Sequence, residues 1–360
     1  DSVRAACAIA RYTAEDECAG LPDAERLARQ FPDLGLLHPW HPSVDHAIEL
    51  ARTCEAAALA VDKRITNSEG ATLSTHEGME VYANTLGFIG TLAGTRHSLS
   101  AAVIAQDDQG MQRDYWFSVA RKADALEAAE SVGRRAATRS LKRLGGRQLA
   151  TRKAPVIYDA PVAAGLLSHF TGAVRGEALY RNASFLVGSL GQQVFAPHVH
   201  LYEQPHLPGA LGSTPFDNEG VATATRDLVR GGVVQGYVLD SYSARKLKMQ
   251  TTGNAGGVHN LTIDVGPLDF AGLLKQMGTG LFVTELIGFG VNAITGDYSR
   301  GAAGFWVENG EIAYPVEEIT IAGNLRDMFR GIVAVGNDVD VRGNVRTGSI
   351  LIDQLTIAGS

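Results

Sequence analysis

The apolar positions of the first 60 residues recur at helical spacing. Ser2 to Thr13 and Asp45 to Val61 are Ala-rich with a period near 3.6 and predict two helices. Ala24 to Phe31 predicts a third, short one, with Pro22 near its start. Between the last two lies His38-Pro39-Trp40-His41-Pro42, where two prolines forbid a regular element. From Arg64 the period changes. Arg64 to Leu73 reads as a hairpin turning at Asn67 to Gly70. Met79–Leu86, Gly87–Ala93, His97–Gln106 and Gln112–Ala120 then read as short strands of an antiparallel sheet. Asp124 to Leu144 returns to helical spacing and stops at Gly145-Gly146.

Beyond Lys153 the pattern is one of short β-branched runs broken by glycine. Strands are expected at Ala154–Tyr158, Val199–Tyr202, Gly232–Leu239, Val258–Ile263, Gly280–Glu285, Gly288–Ile294, Gly304–Val307, Glu311–Pro315, Glu318–Ile321 and Ile350–Ile357. Helices are expected at Leu268–Met277 and Asn324–Ile332, and one follows the turn at Asp159-Ala160-Pro161. The expected fold is therefore α+β. Residues 1–147 would pack helices on an antiparallel sheet, and residues 148–360 would form a strand-rich, curved or barrel-like sheet with short helices.

Composition narrows the function classes. The chain has 360 residues, 45% of them hydrophobic, and a formal net charge of −7. The acidic balance argues against a general hold on nucleic acid. The exception is the basic half of the helix before Gly145, with Arg134, Arg135, Arg139, Lys142 and Arg143. It reads either as an anion patch or as a solvated face whose cations favour a helix C-terminus. No apolar run approaches the roughly 20 residues of a membrane span. Cys7, Cys18 and Cys54 have no metal or disulfide spacing, which points to a reducing, cytoplasmic setting. Asp1 begins inside an expected helix without an initiator Met, so an N-terminal segment is expected to be missing.

Several residues could carry chemistry. His198-Val199-His200 places two imidazoles on one face of a strand, and a metal could be shared with His169, His206 or His259. The competing reading is of loop or edge histidines. Asp217 and Glu219 can form a carboxylate pair, or can cap a turn opened by Gly220. Gly253-Asn254-Ala255-Gly256-Gly257 can form a nest of N–H groups for a carboxylate or a peptide backbone, or can serve close packing alone; His259 follows it. Gly188 to Gly212 is a long loop rich in Gly, Pro and His, of a length that is usually functional or mobile.

One stretch ties these together. Gly165-Leu166-Leu167-Ser168-His169-Phe170-Thr171-Gly172-Ala173 is followed by Phe216 to Thr223, Ser243 to Leu247, Thr252 to Leu261, Gly296 to Glu311, Val335 to Asp338 and Gly348-Ser349. In this order the series resembles the PmbA/TldD family, and within it the PmbA (TldE) branch. The resemblance implies a zinc site in the TldD branch, built from His-Glu-x-x-x-His on a helix and a Cys near the C-terminus. Here the three helix positions fall on Ser168, His169 and Ala173, and Arg342 to Gly348 contains no Cys. The resemblance thus implies a subunit with vacated zinc positions and no catalytic residues. It would take part in proteolysis of small or unfolded peptides, such as peptide-antibiotic maturation and antitoxin degradation. Its partner would be a TldD-type subunit holding the zinc, with homodimers when isolated. Asp217, Glu219, Asn254, Gly256, Gly257 and His259 are the substrate-binding candidates. The alternatives are an independent metallopeptidase using His169, His198 and His200, or a modulator associated with gyrase or nucleic acid. Gly172 and Gly176 are expected to let the helix approach a neighbour closely.

Overall fold

The computed structural model describes residues 1–359, so Ser360 lies outside the described residues. Helix α1 spans Ser2–Ala10 and buries no side chain. Helix α2, Val44–Leu59, starts where the Ser43 hydroxyl accepts the His46 N–H at 3.2 Å. Strands β1 (Ile65–Ala83), β2 (Ile89–Asp107) and β3 (Gly110–Ala120) form an antiparallel sheet in that order. Helix α3, Ala129–Lys142, closes this front layer. Alternate β2 residues Leu99, Ala101, Val103 and Ala105 are buried under α2 and α3. The helices cross so closely that a Cβ at Gly133 would stand 1.9 Å from the Cys54 carbonyl oxygen.

Four sequence expectations change here. Residues 65–83 are one long strand, and Asn67 to Gly70 is a pair of register shifts, not a turn. The turn lies at Asn84–Gly87, where Asn84 Oδ1 accepts the Leu86 N–H at 3.1 Å. The short strands at 79–86 and 87–93 are therefore the two arms of one hairpin. The helix expected at Ala24–Phe31 is a single 3-10 turn, Ala24–Arg26, after which the chain extends and bridges Leu27 to Val221. The helix expected from Asp124 begins at Ala129, because residues 123–125 form a separate 3-10 turn.

The back half holds a closed barrel. Strands β4 (Arg152–Tyr158), β9 (Gly280–Ile287), β10 (Asp297–Glu308), β11 (Glu311–Asn324) and β14 (Ile350–Ala358) run in the order β11-β10-β9-β4-β14. Pairing of Ile321 with Ile357 returns β14 to β11 and closes the ring. Only β4 and β9 are parallel within it, and β12 (Ile332–Val335) adds to β14. A second sheet orders β13 (Val345–Arg346), β8 (Leu261–Ile263), β5 (Leu201–Glu203), β6 (Arg226–Arg230) and β7 (Val233–Val234).

The curved, strand-rich expectation therefore holds, with local differences. The strand expected at Gly232–Leu239 is reduced to Val233–Val234. Glu311–Pro315 and Glu318–Ile321 are one strand, bent where Glu318 adopts a positive φ of 51°. Gly288–Ile294 is irregular and bridges only through Val291 to Tyr298. The helix at Phe270–Met277 covers Ile157, Phe282, Phe305, Val307 and Leu351 on one barrel face. The remaining core joins the other face to α4 (Ala160–Ala173) and the second sheet. The long loop from Gly188 is packed, with Val194, Phe195, Ala196 and Val199 buried.

The two halves interlock. The hairpin tip brings Phe88 edge to face with Phe216 at 5.5 Å. Residues before α2 lie along the back half, where Ala28 N–H donates to the Gly220 carbonyl at 2.9 Å. Lys246 pairs with Asp16 at 3.0 Å.

Candidate functional site

Helix α4 begins directly after β4. The Asp159 carboxylate accepts the Ala160 N–H at 3.1 Å, and Pro161 occupies the first turn. Ala163, Leu166, Leu167, Phe170 and Ala173 form the buried face. That face decides the fate of the three family zinc positions. Ser168 is exposed, and its hydroxyl donates to the Ala164 carbonyl at 2.8 Å. Ala173 is buried and offers no donor. His169 is half-buried and stands edge to face with Tyr298. Burial, and then the nearby Arg300 charge, lower its pKa.

The segment 342–348 does come beside α4, through contacts of β13. It brings no thiol. The residues present therefore do not fit zinc, which needs three or four imidazole, thiolate or carboxylate donors around one point. Among the described residues no three His, Cys, Asp or Glu side chains are grouped to hold a metal ion.

The other histidines are dispersed. His198 is exposed. His200 bridges two carboxylates, Asp264 at 2.9 Å from Nδ1 and Asp227 at 2.8 Å from Nε2. Partial burial opposes its charge, but the two carboxylates win and raise its pKa. The imidazole thereby clips β5, β6 and β8 at one end. His206 Nε2 meets the Thr223 hydroxyl at 3.1 Å.

The substrate-binding candidates are brought together as a buried polar network. Asp217 accepts N–H groups of Glu219, Val221 and Ala255, each at 2.9 Å. Burial raises its pKa to about 6 in spite of those donors. Glu219 accepts the Ser241 N–H at 3.0 Å. Asn254 Nδ2 donates to Glu203 Oε1 and to the Gly257 carbonyl. Its Oδ1 accepts from Arg226 at 2.8 Å. Arg226 in turn donates to Glu203 Oε2 at 2.8 Å, and the His259 N–H donates to Glu203 Oε1 at the same distance. The His259 ring faces the Gly253 carbonyl, and burial lowers its pKa. Gly256 and Gly257 adopt positive φ, 106° and 124°, and only Gly256 is crowded, by Asn218. Most polar atoms of this cluster are consumed internally, which fits a rigid scaffold. Glu203 and Arg226 escaped the sequence reading. A single charge on a short strand carries no local signal, and only folding sets it opposite its partner.

A separate opening lies between the front layer and the barrel. A cleft of about 610 Å³ separates the front layer from the barrel and continues into a second lobe of about 340 Å³. Both lobes are lined by Asp114, Trp116, Arg139, Asp159 and Arg342. Burial first, and Asp338 further, raise the Asp159 pKa to about 6, although Arg139 lowers it. Arg135 and Arg342 lie over the Trp116 ring at 4.2 and 3.9 Å. The basic run of α3 is largely folded onto this wall. Arg139 pairs with Asp114 at 3.2 Å and Arg143 with Glu285 at 2.6 Å.

Known proteins share this arrangement. The profile described as PmbA/TldA metallopeptidase C-terminal domain matches residues 151–359. That of the PmbA/TldA metallopeptidase central domain matches residues 37–144. "Metalloprotease PmbA" of Escherichia coli O157:H7 is 53% identical over 358 residues, covering 99% of this chain and 80% of that protein. A Bacteroides thetaiotaomicron structure, described as a candidate modulator of DNA gyrase, superposes with a TM-score of 0.92 at 31% identity, over 97% of this chain and 80% of that one. TldE of Thermococcus kodakarensis has a TM-score of 0.83 at 22% identity, over 97% and 82% of the two chains, a likeness of fold. No helix among the described residues is long and apolar enough to cross a membrane.

Proposed function

Because the chain belongs to the PmbA/TldD metallopeptidase family, we propose that it is the PmbA (TldE) type of subunit, which pairs with a TldD-type zinc enzyme and does not hydrolyse peptides alone. One observation carries the reading. Helix α4 keeps the family frame, but positions 168, 169 and 173 hold a hydroxyl bonded to its own helix, an imidazole packed on Tyr298, and a methyl group. Neither a metal cage nor a carboxylate base can be assembled from these. The chain would then act in the cytoplasm by completing the peptide-binding cavity of its partner, which supplies the zinc. The substrates on this reading are small or unfolded peptides.

The test is to purify the chain alone and with a TldD-type partner, and to measure zinc content and cleavage of an unstructured peptide. The expected result is zinc and chelator-sensitive cleavage only when the partner is present. Stoichiometric zinc together with cleavage by this chain alone overturns the proposal.

A further inference from the structure

The smaller lobe of the cleft holds one guanidinium that no carboxylate of the described residues reaches. Five arginines line it: Arg113, Arg139, Arg143, Arg300 and Arg342. Four are matched by carboxylates. Arg113 pairs with Glu69 at 2.8 Å, Arg139 with Asp114 at 3.2 Å, Arg143 with Glu285 at 2.6 Å and Arg342 with Asp340 at 2.9 Å. Arg300, on β10, has no such partner among the described residues, and its Nε is buried without any hydrogen bond. A buried guanidinium N–H left unpaired is costly, and a bound anion is one way to satisfy it. The neighbouring His169 cannot compensate the charge in either protonation state, since an imidazole is neutral or cationic.

From this unmatched guanidinium in a cleft we infer that Arg300 is the anchor of a carboxylate-binding site, which receives a carboxylate of a peptide lying between β3 and α4. The inference rests on the peptide-binding reading above. The fork of an arginine matches a carboxylate with two parallel hydrogen bonds, as a lysine cannot. The same lobe is lined by Tyr115, Trp116 and Phe117; Arg342 covers the last two rings, which leaves the exposed Tyr115 as aromatic surface for the rest of a peptide. The carboxylate can be the peptide's C-terminus or an Asp or Glu side chain, since both present the same group.

The test uses the full chain and three N-acetylated, unstructured peptides. One has a free C-terminus, the second is its C-terminal amide, and the third is an amide carrying one internal Glu. Binding is followed by calorimetry for the parent, Arg300→Gln and Arg300→Lys. The expected result is that a carboxylate tightens binding by about tenfold to a hundredfold, as charge-assisted hydrogen bonds do. Arg300→Gln should erase that gain and Arg300→Lys should retain part of it. The first and third peptides tell the two carboxylate sources apart. If Arg300→Gln does not fold, the parent still decides, because an anion beside His169 must raise its pKa, which imidazole NMR reads during titration. Equal binding of acid and amide, absence of binding, or a gain that survives in Arg300→Gln overturns the inference. Cleavage by the complex with its partner is measured separately, so failure here leaves the subunit reading standing, and the reverse.

Discussion

His169 and Tyr298 meet edge to face, with ring centroids 5.9 Å apart and planes at 79°. The contact joins α4 to β10. The ring is used as packing surface, and the helix is retained as a beam between the barrel and the second sheet.

Returning the helix to the zinc pattern should fail. Ala173 is 3% exposed, so a histidine there overpacks the core and costs about 1–3 kcal/mol. No thiol in 342–348 completes the ligand set. The combined variant Ser168→His, His169→Glu, Ala173→His is expected to unfold at lower urea and to take up no stoichiometric zinc. A variant as stable as the parent that binds one zinc would contradict this.

Two glycines four residues apart should respond oppositely to alanine. A Cβ at Gly176 would lie 2.1 Å from Ser243 Oγ, whereas one at Gly172 meets nothing within 4 Å. Close approach is therefore real at Gly176, while the same expectation at Gly172 finds no neighbour within the chain. Gly176→Ala should cost about 1–3 kcal/mol. Gly172→Ala should be neutral or stabilise by up to about 1 kcal/mol. Denaturant midpoints of the two variants read this directly.

The Glu203–Arg226–Asn254 network should be intolerant of single removals. Glu203 is 1% exposed, so Arg226→Met leaves a buried charge unpaired and should cost about 3–5 kcal/mol. Removing both charges, with Glu203→Gln added, should recover part of the loss. Equilibrium unfolding in a double-mutant cycle checks the coupling.

His200 should make stability fall as pH rises. Its pKa is raised in the folded state above the ordinary value of 6.5. Its contribution is thus fully present below that value and is lost as pH climbs through the raised one. The groups facing it are Asp227, Asp264 and the stacked Tyr202, with Arg230 holding Asp227. The stability gap between the parent and His200→Gln should be wider near about pH 6 than near about pH 9. A gap independent of pH would show that the clip is not ionic.

The sequence alone determined the α+β class, the helices at 44–59 and 270–277 to within a few residues, and the family, because these depend on local periodicity and on motifs read in order. It also fixed what α4 lacks, since a missing ligand type is visible without coordinates. Only the tertiary structure decided the rest. Asn67 to Gly70 looks like a turn, yet pairing with Val103 and Ala102 carries it through as a bulge. The strand expected at Gly304–Val307 in fact starts at Asp297, because β9 and β11 supply partners on both sides. The barrel closes through Ile321 and Ile357, 36 positions apart, by a pairing no window of sequence contains. Charge follows the same logic. Glu203 and Arg226, or Arg143 and Glu285, are ordinary surface-type residues in the sequence, and folding matches them. Arg300 is equally ordinary until folding places it in the cleft without a carboxylate partner among the described residues. Period and composition are properties of neighbours along the chain, whereas compensation of a charge is a property of neighbours in space.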